Sequence, residues 1–135
     1  MRIVIDANMV IAALVKDSKS REIIADRNFE FISPDFLLDE IHKHENYICK
    51  KSGLSKEELG LSISLLLENI KIIPVSEYEE SINAAKEIMK EDTKDVPYVA
   101  CYTALKCDWI WTNDTDYDNK NQIKTLKTKD LIKLI

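Results

Sequence analysis

Short apolar runs alternate along this chain with segments of helical periodicity, and that alternation restricts the fold more than any other feature of the sequence. Arg2-Ile3-Val4-Ile5 is a β-branched run that stops at Asp6, and a helical pattern starts near Met9. Phe29-Glu30-Phe31-Ile32, Lys71-Ile72-Ile73 and Asp108-Trp109-Ile110-Trp111-Thr112 repeat the strand signature, and one more short strand is expected between Ile123 and Leu126. Helices are expected between them. Residues 18–26 carry Ile23, Ile24 and Ala25 on one side. Ser33-Pro34 offers an N-cap and a first-turn proline for a helix running through Leu37, Ile41, His44 and Ile48 toward Lys50. Ser55 with Glu58 reads as a capping box ahead of Leu59, Ile63, Leu66, Leu67 and Ile70. Residues 77–91 turn Ile82, Ala85, Ile88 and Met89 inward, and a further helix is expected over residues 95–106.

Strands that alternate with helices lie parallel, joined by right-handed crossovers that cover both faces of the sheet. The expected fold is therefore α/β: a three-layer α/β/α sandwich with a central, mostly parallel sheet of four to five strands. Ligands of such sheets bind beyond the carboxyl ends of the strands, so residues just after a strand are the first place to look for chemistry.

A length of 135 residues, 45% of them hydrophobic and only 2 glycine and 3 proline, suits one domain spanning residues 1–135 without long flexible linkers. No apolar run approaches the ~20 residues a membrane crossing needs, and Asp6 interrupts the N-terminal apolar stretch that a signal peptide would continue. A cytoplasmic protein without a membrane partner is expected. Cys49, Cys101 and Cys107 form no CxxC pair and leave one over from any disulfide, which suits a reducing compartment, weighs against zinc, and marks them as small buried residues. The absence of a glycine-rich phosphate loop argues against a nucleoside triphosphatase.

The net charge of −5 argues against a general polyanion-binding surface. Its distribution is uneven. Residues 77–95 hold seven acids against three lysines, whereas after Asp118 five lysines face Asp130 alone. A basic edge beside an acidic centre suits a metal site that meets a phosphate backbone, although lysines that merely keep the tail soluble would look the same.

The acids carry the chemical signal. Asp6 follows the first strand, and Asp114 and Asp116 follow the strand ending at Thr112, so both groups face one edge of the sheet. Glu40 stands beside the apolar stripe of its helix, and Asp95 stands at a helix start before Val96-Pro97, where a carboxylate can also serve as a plain N-cap. Acids gathered at one mouth repel each other and raise one another's pKa unless a cation neutralises them. Oxygen donors favour Mg²⁺ or Mn²⁺, and such a site supports phosphodiester hydrolysis, in which metal and carboxylates orient and deprotonate a water.

Ile3-Val4-Ile5-Asp6-Ala7-Asn8, Glu40 in the helix after Ser33-Pro34, Lys94-Asp95-Val96-Pro97-Tyr98-Val99-Ala100 and Trp111-Thr112-Asn113-Asp114-Thr115-Asp116-Tyr117 resemble, in order and spacing, a PIN domain over nearly the full chain. The resemblance implies a Mg²⁺- or Mn²⁺-dependent ribonuclease. Asp6, Glu40, Asp95 and Asp114 match its catalytic acids. Asp6, Asp95, Asp114 and Asp116 match the metal-binding set, with Asp116 a frequent accessory acid, and Asn8 and Thr112 match supporting positions. It also implies single-stranded RNA as substrate and, as in many PIN proteins of this length, a homodimer that is the toxin of a VapBC-type toxin–antitoxin pair, with an antitoxin protein as partner. The residues around Glu40 and Asp95 resemble standalone prokaryotic PIN proteins as much as toxins.

Two other readings stand beside this one: a non-catalytic PIN-fold module that binds RNA or protein, and a phosphatase with Asp6 as nucleophile. Asn8 stands where the phosphatase would need a second aspartate, and no glycine precedes Asp114. Other signals are read as ordinary. His42 and His44 lie two apart on a helix and point different ways, as solvated or RNA-contacting residues. Trp109 and Trp111 share one strand face and are expected under helices. Tyr98 or Tyr117 would suit base stacking better, Asp92 reads as an exposed helix-end acid, and Lys16, Lys19 and Arg21 as surface charge or phosphate guides.

Overall fold

The structure, a computed structural model, describes residues 1–15 and 18–135. Lys16, one of the candidate phosphate guides, lies outside the described residues. The elements run β1 (Arg2–Ile5), α1 (Ala7–Val15), α2 (Ser18–Ala25), β2 (Glu30–Pro34), α3 (Phe36–Lys43), α4 (Glu45–Ser52), α5 (Lys56–Leu67) and β3 (Ile70–Ile73). After two 3-10 turns, Val75–Glu77 and Glu79–Ser81, come α6 (Ile82–Met89), a third turn (Thr93–Asp95), α7 (Val96–Ala104), β4 (Trp109–Trp111), a fourth turn (Thr115–Tyr117), β5 (Thr125–Leu126) and α8 (Thr128–Ile132).

The five strands form one parallel sheet in the order β3-β2-β1-β4-β5. As expected from the alternation, helices flank it: α1 to α5 pack with one another, while α6 packs on α7, which lies against β1, β2 and β4. Ile3, Val4 and Ile5 are therefore buried whichever face they point to, which is why β1 reads as a continuous apolar run rather than an alternating one. The chain builds outward from β1 to β3 and then returns to lay β4 on the other side of β1. That reversal opens a crevice beyond the carboxyl ends of β1 and β4.

Several local expectations hold. The capping box forms: Ser55 Oγ accepts the Glu58 N–H at 3.1 Å, and Glu58 Oε1 accepts the Ser55 N–H at 3.0 Å. Trp111 is fully buried under helices, its indole N–H donating to the Thr128 hydroxyl at 3.0 Å, while Trp109 beside it on the same face is half-buried. Cys101 is buried, Cys49 and Cys107 are half-buried, and all three thiols are free. Among the described residues no helix is long and apolar enough to cross a membrane.

Ser33-Pro34 departs from expectation. Instead of opening a helix the pair finishes β2, in register with Ile72 and Ile73 of β3. A proline costs a ladder hydrogen bond in a central strand, but β1 pairs with β2 only as far as Ile32, so no partner awaits the missing N–H. Ser33 Oγ donates to the Ile5 carbonyl at 3.1 Å, and Asp35 takes the N-cap position without capping. Its carboxylate instead accepts the Tyr78 hydroxyl at 2.6 Å and the Val75 N–H at 3.1 Å. That tether fixes the turns after β3, and the helix expected over residues 77–91 is regular only over Ile82–Met89. The helix expected to reach Lys50 breaks at His44, whose φ of −101° and ψ of 12° end α3 and precede α4. Gly53, at φ 78°, supplies the left-handed residue that closes α4.

Candidate active site

Beyond the ends of β1 and β4 the parallel register Ile5↔Trp111 sets the residues that follow each strand side by side. Asp6 donates its backbone N–H to the Trp111 carbonyl at 3.2 Å, and its own carbonyl accepts from Met9 and Val10 as α1 begins. The side chain is 4% exposed. Oδ2 accepts the Thr112 hydroxyl at 2.7 Å and Oδ1 accepts the Asn8 backbone N–H at 3.4 Å. The same Thr112 hydroxyl accepts the N–H of Asp114 at 3.0 Å, and Asp114 Oδ1 accepts the N–H of Asp116 at 2.9 Å. Five sequence-expected residues, Asn8, Asp6, Thr112, Asp114 and Asp116, thus hang on one chain of hydrogen bonds, with Thr112 as its pivot.

Asp95 arrives from the other side, in the turn that precedes α7. It occupies the N-cap position, yet its side chain makes no cap bond, so the plain-capping reading fails. The carboxylate is 4% exposed and its Oδ2 has no hydrogen-bond partner. One oxygen each from Asp95, Asp114 and Asp116 lie within 4.8 Å of one another. Asp6 and Glu40 lie outside that three-oxygen group but close enough for their charges to be felt. Burial pushes the Asp6 carboxyl up, with Asp114 and Glu40 adding to the rise while Thr112 and Asn8 oppose it. Burial, and then the charges of Asp6, Asp114 and Asp116, push Asp95 up to about 7 against the opposing pull of Lys94.

Glu40 projects from α3 into a cleft of about 400 Å³ whose lining also includes Asp6, Asn8 and Asp95. Asn8 reaches Asp6 through its backbone, and its side chain lies at the cleft surface. All four acids expected to be catalytic are thus brought to one crevice, whereas the group close enough to share one cation is Asp95, Asp114 and Asp116.

Other sequence readings resolve differently. Tyr98 and Tyr117, the favoured stacking platforms, are 1% and 2% exposed and cannot receive a base. Their hydroxyls and Asp95 Oδ2 are, among the described residues, the buried side-chain polar atoms without a partner, and the acids acting on both phenols are those of the crevice. Three such atoms at one place mark a site built to hold something polar. Asp92 is half-buried rather than exposed, pairs with Lys120 at 3.8 Å and is not one of the three clustered acids. Exposed His42 reaches Glu45 at 3.2 Å, while His44, one helical turn after Glu40, lines the cleft. Lys19 pairs with Glu22 at 3.4 Å, and Arg21 borders a separate hollow beside Leu65. The sequence reading passed over Phe36, Lys43 and Lys94, which line the cleft with Glu40 and Asp95. The signal available for the first two was their four- and three-residue spacing from Glu40.

The fold resembles two solved structures. One is VapBC2 from Rickettsia felis bound to a DNA fragment from their promoter, at a TM-score of 0.69 and 16% identity, covering 94% of this chain and 98% of that one. The other is a toxin–antitoxin complex from Klebsiella pneumoniae, at a TM-score of 0.69 and 12% identity, covering 93% and 97%. A search of the curated proteins returns no match by sequence. The sequence model of the PIN domain matches residues 4–131, from inside β1 to inside α8. With that span matched, the chain belongs to the PIN domain family.

Proposed function

We propose that this chain is a metal-dependent endoribonuclease that hydrolyses phosphodiester bonds of single-stranded RNA at the acids beyond β1 and β4. The observation that carries the reading is Asp95: a buried carboxylate with an unpartnered oxygen, set against two further carboxylates within 4.8 Å. Burial of such a group is relieved either by a proton, which the raised Asp95 carboxyl holds up to about pH 7, or by a compensating cation above it. The donors are all carboxylate oxygens, which fits Mg²⁺ or Mn²⁺. Asp95, Asp114 and Asp116 would hold the ion, with Asp6 beside them. When bound, it supplies positive charge at a phosphoryl oxygen and acidifies a water.

The chain's own groups do the rest. Thr112 and Asn8 fix both oxygens of Asp6, so that carboxylate enters the crevice in one orientation. Thr112 also sets the backbone of Asp114, coupling the two strand ends. Glu40, outside the three-oxygen group and open to the cleft, accepts the proton of the attacking water. Residues 1–135 act as one domain in the cytoplasm. The protein is the toxin of a toxin–antitoxin pair, a reading supported by the two similar folds, both from toxin–antitoxin assemblies. Leu38, Tyr47, Leu61 and Leu65 leave apolar side chains exposed on α3, α4 and α5, which supports contact there with an antitoxin or a second copy of the chain.

The test is cleavage of a mixed single-stranded RNA pool by the purified protein with Mn²⁺, beside an EDTA control and Asp6→Asn and Asp95→Asn variants. Cutting that needs both the metal and the acids supports the nuclease. Binding of RNA without Mn²⁺ uptake in calorimetry, and without cutting, turns the reading to a non-catalytic module.

A further inference from the structure

A polyanionic strand cannot enter a cleft lined by Asp6, Asp39, Glu40 and Asp95 on the strength of one cation alone. Its lining also holds two lysines. Lys43 comes from the last turn of α3 and Lys94 from the turn before α7, and both are exposed. Among the described residues neither ends in an ion pair, whereas Lys19 and Lys120 do. The same cleft holds the phenyl ring of Phe36, at the start of α3, beside the imidazole of His44. Phe36 is half-buried: it meets Tyr98 edge-on, with ring centroids 6.1 Å apart, while also lining the cleft. Phe36, Glu40 and Lys43 follow helical spacing, so they form one stripe along α3, about 10 Å from end to end.

An aromatic face beside unpaired cations is the arrangement that binds unpaired nucleotides, the ring stacking a base and the cations holding the adjoining phosphates. We infer that the cleft between α3 and the turn before α7 is a nucleotide subsite, in which Phe36 stacks one unpaired base of an RNA strand while Lys43 and Lys94 hold its phosphates. This inference rests on the nuclease reading for its substrate and adds to it the path of the strand. Because every base has a π-face, the subsite discriminates single strands from duplexes and not one base from another.

The experiment measures binding of short fluorescein-labelled single-stranded RNA by anisotropy, with Ca²⁺ in place of Mn²⁺, alongside cleavage kinetics with Mn²⁺. Phe36→Leu weakens binding roughly 5- to 150-fold, the range that loss of one base–aromatic stack gives. Phe36→Trp retains it, which separates stacking from a damaged fold. An abasic residue scanned through the strand reproduces the loss at one position in the parent and adds nothing in Phe36→Leu. Lys43→Ala and Lys94→Ala each lower the slope of log affinity against log salt by about 0.7, as loss of one phosphate contact to a single strand requires. Lys56→Ala, a charge removed from α5 outside the cleft, leaves the slope unchanged. If the parent cleaves RNA but Phe36→Leu binds as the parent does, or Lys56→Ala flattens the slope as much as the cleft lysines, the subsite falls and the nuclease stands. If the parent neither binds nor cleaves, both fall.

Discussion

Replacing Asp95 by asparagine should stabilise the metal-free protein above neutral pH while abolishing its response to metal. An unfolded aspartate titrates near 3.8, and the native carboxyl near 7, through burial and the charges of Asp6, Asp114 and Asp116. Between those values the folded chain holds a proton that the unfolded chain has released, so stability falls as pH rises. The penalty is absent below the unfolded value and complete above the native one. Three pKa units at about 1.4 kcal/mol each set a ceiling near 4 kcal/mol, and water entering the open crevice reduces it to about 2 kcal/mol. Asparagine keeps the shape, carries no charge and can donate to Asp114 or Asp116. In EDTA at pH 8, Asp95→Asn should therefore melt about 6 °C above the parent, at about 3 °C per kcal/mol for a chain of this size. At pH 4.5 most of that difference should be gone, since the parent is then protonated at this position when folded. Mn²⁺ should raise the parent's melting temperature at pH 8 and leave the variant's nearly unmoved, because metal stabilises only what binds it. Melting curves at both pH values, with and without Mn²⁺, test this directly. A variant less stable than the parent by the same amount at both pH values would refute the reasoning, since it would mean that Asp95 contributes packing and not charge stress.

Thr112→Val should cost about 1–2 kcal/mol in urea unfolding, because it removes the donor to Asp6 and the acceptor of the Asp114 N–H from a buried position. Its RNA cleavage should fall at least tenfold in kcat, with Thr112→Ser restoring most of it. Mn²⁺ affinity by calorimetry should rise between pH 5.5 and pH 8 as Asp95 ionises; a flat profile would remove that carboxylate from the ligand set. Trp111→Ala, at the fully buried centre of β4, should lower unfolding free energy by about 3–5 kcal/mol, whereas Trp111→Phe, which loses the bond to Thr128 and part of the volume, should cost less than half as much.

The sequence announced the site's strands more clearly than its helices. Asp6 and Asp114 were legible because each follows an apolar run too short for a helix, and the order of strands and helices forces both runs to end at the same edge. Glu40 and Asp95 depended on the family pattern, since an acid beside an apolar stripe and an acid before Val-Pro have ordinary explanations. Pro34 misled for a physical reason: whether a proline opens a helix or closes a strand depends on where the neighbouring strand stops pairing, and β1 stops at Val4↔Ile32. Tyr98 and Tyr117 misled because aromatic residues near acids look like base platforms, while their burial, Tyr98 within α7 and Tyr117 in the turn after β4, is decided by tertiary packing. The nearby Phe36, one turn ahead of Glu40, is the ring that lines the cleft.

What no local pattern could convey is the conflict at the centre of the crevice. Each of Asp6, Asp95, Asp114 and Asp116 satisfies a local role as a strand end, a helix start or a turn. Only the register Ile5↔Trp111 and the return of the chain through α7 convert them into mutually repelling charges around an unpartnered oxygen. Elsewhere among the described residues buried side-chain polar atoms have partners, so the exceptions at Asp95, Tyr98 and Tyr117 are confined to the place where strand ends and α7 meet. Unmet polar demand gathered at one place marks where a ligand would bring the most relief. Relief requires positive charge with affinity for oxygen in a small volume, which the ion of the proposed site would supply at Asp95, Asp114 and Asp116.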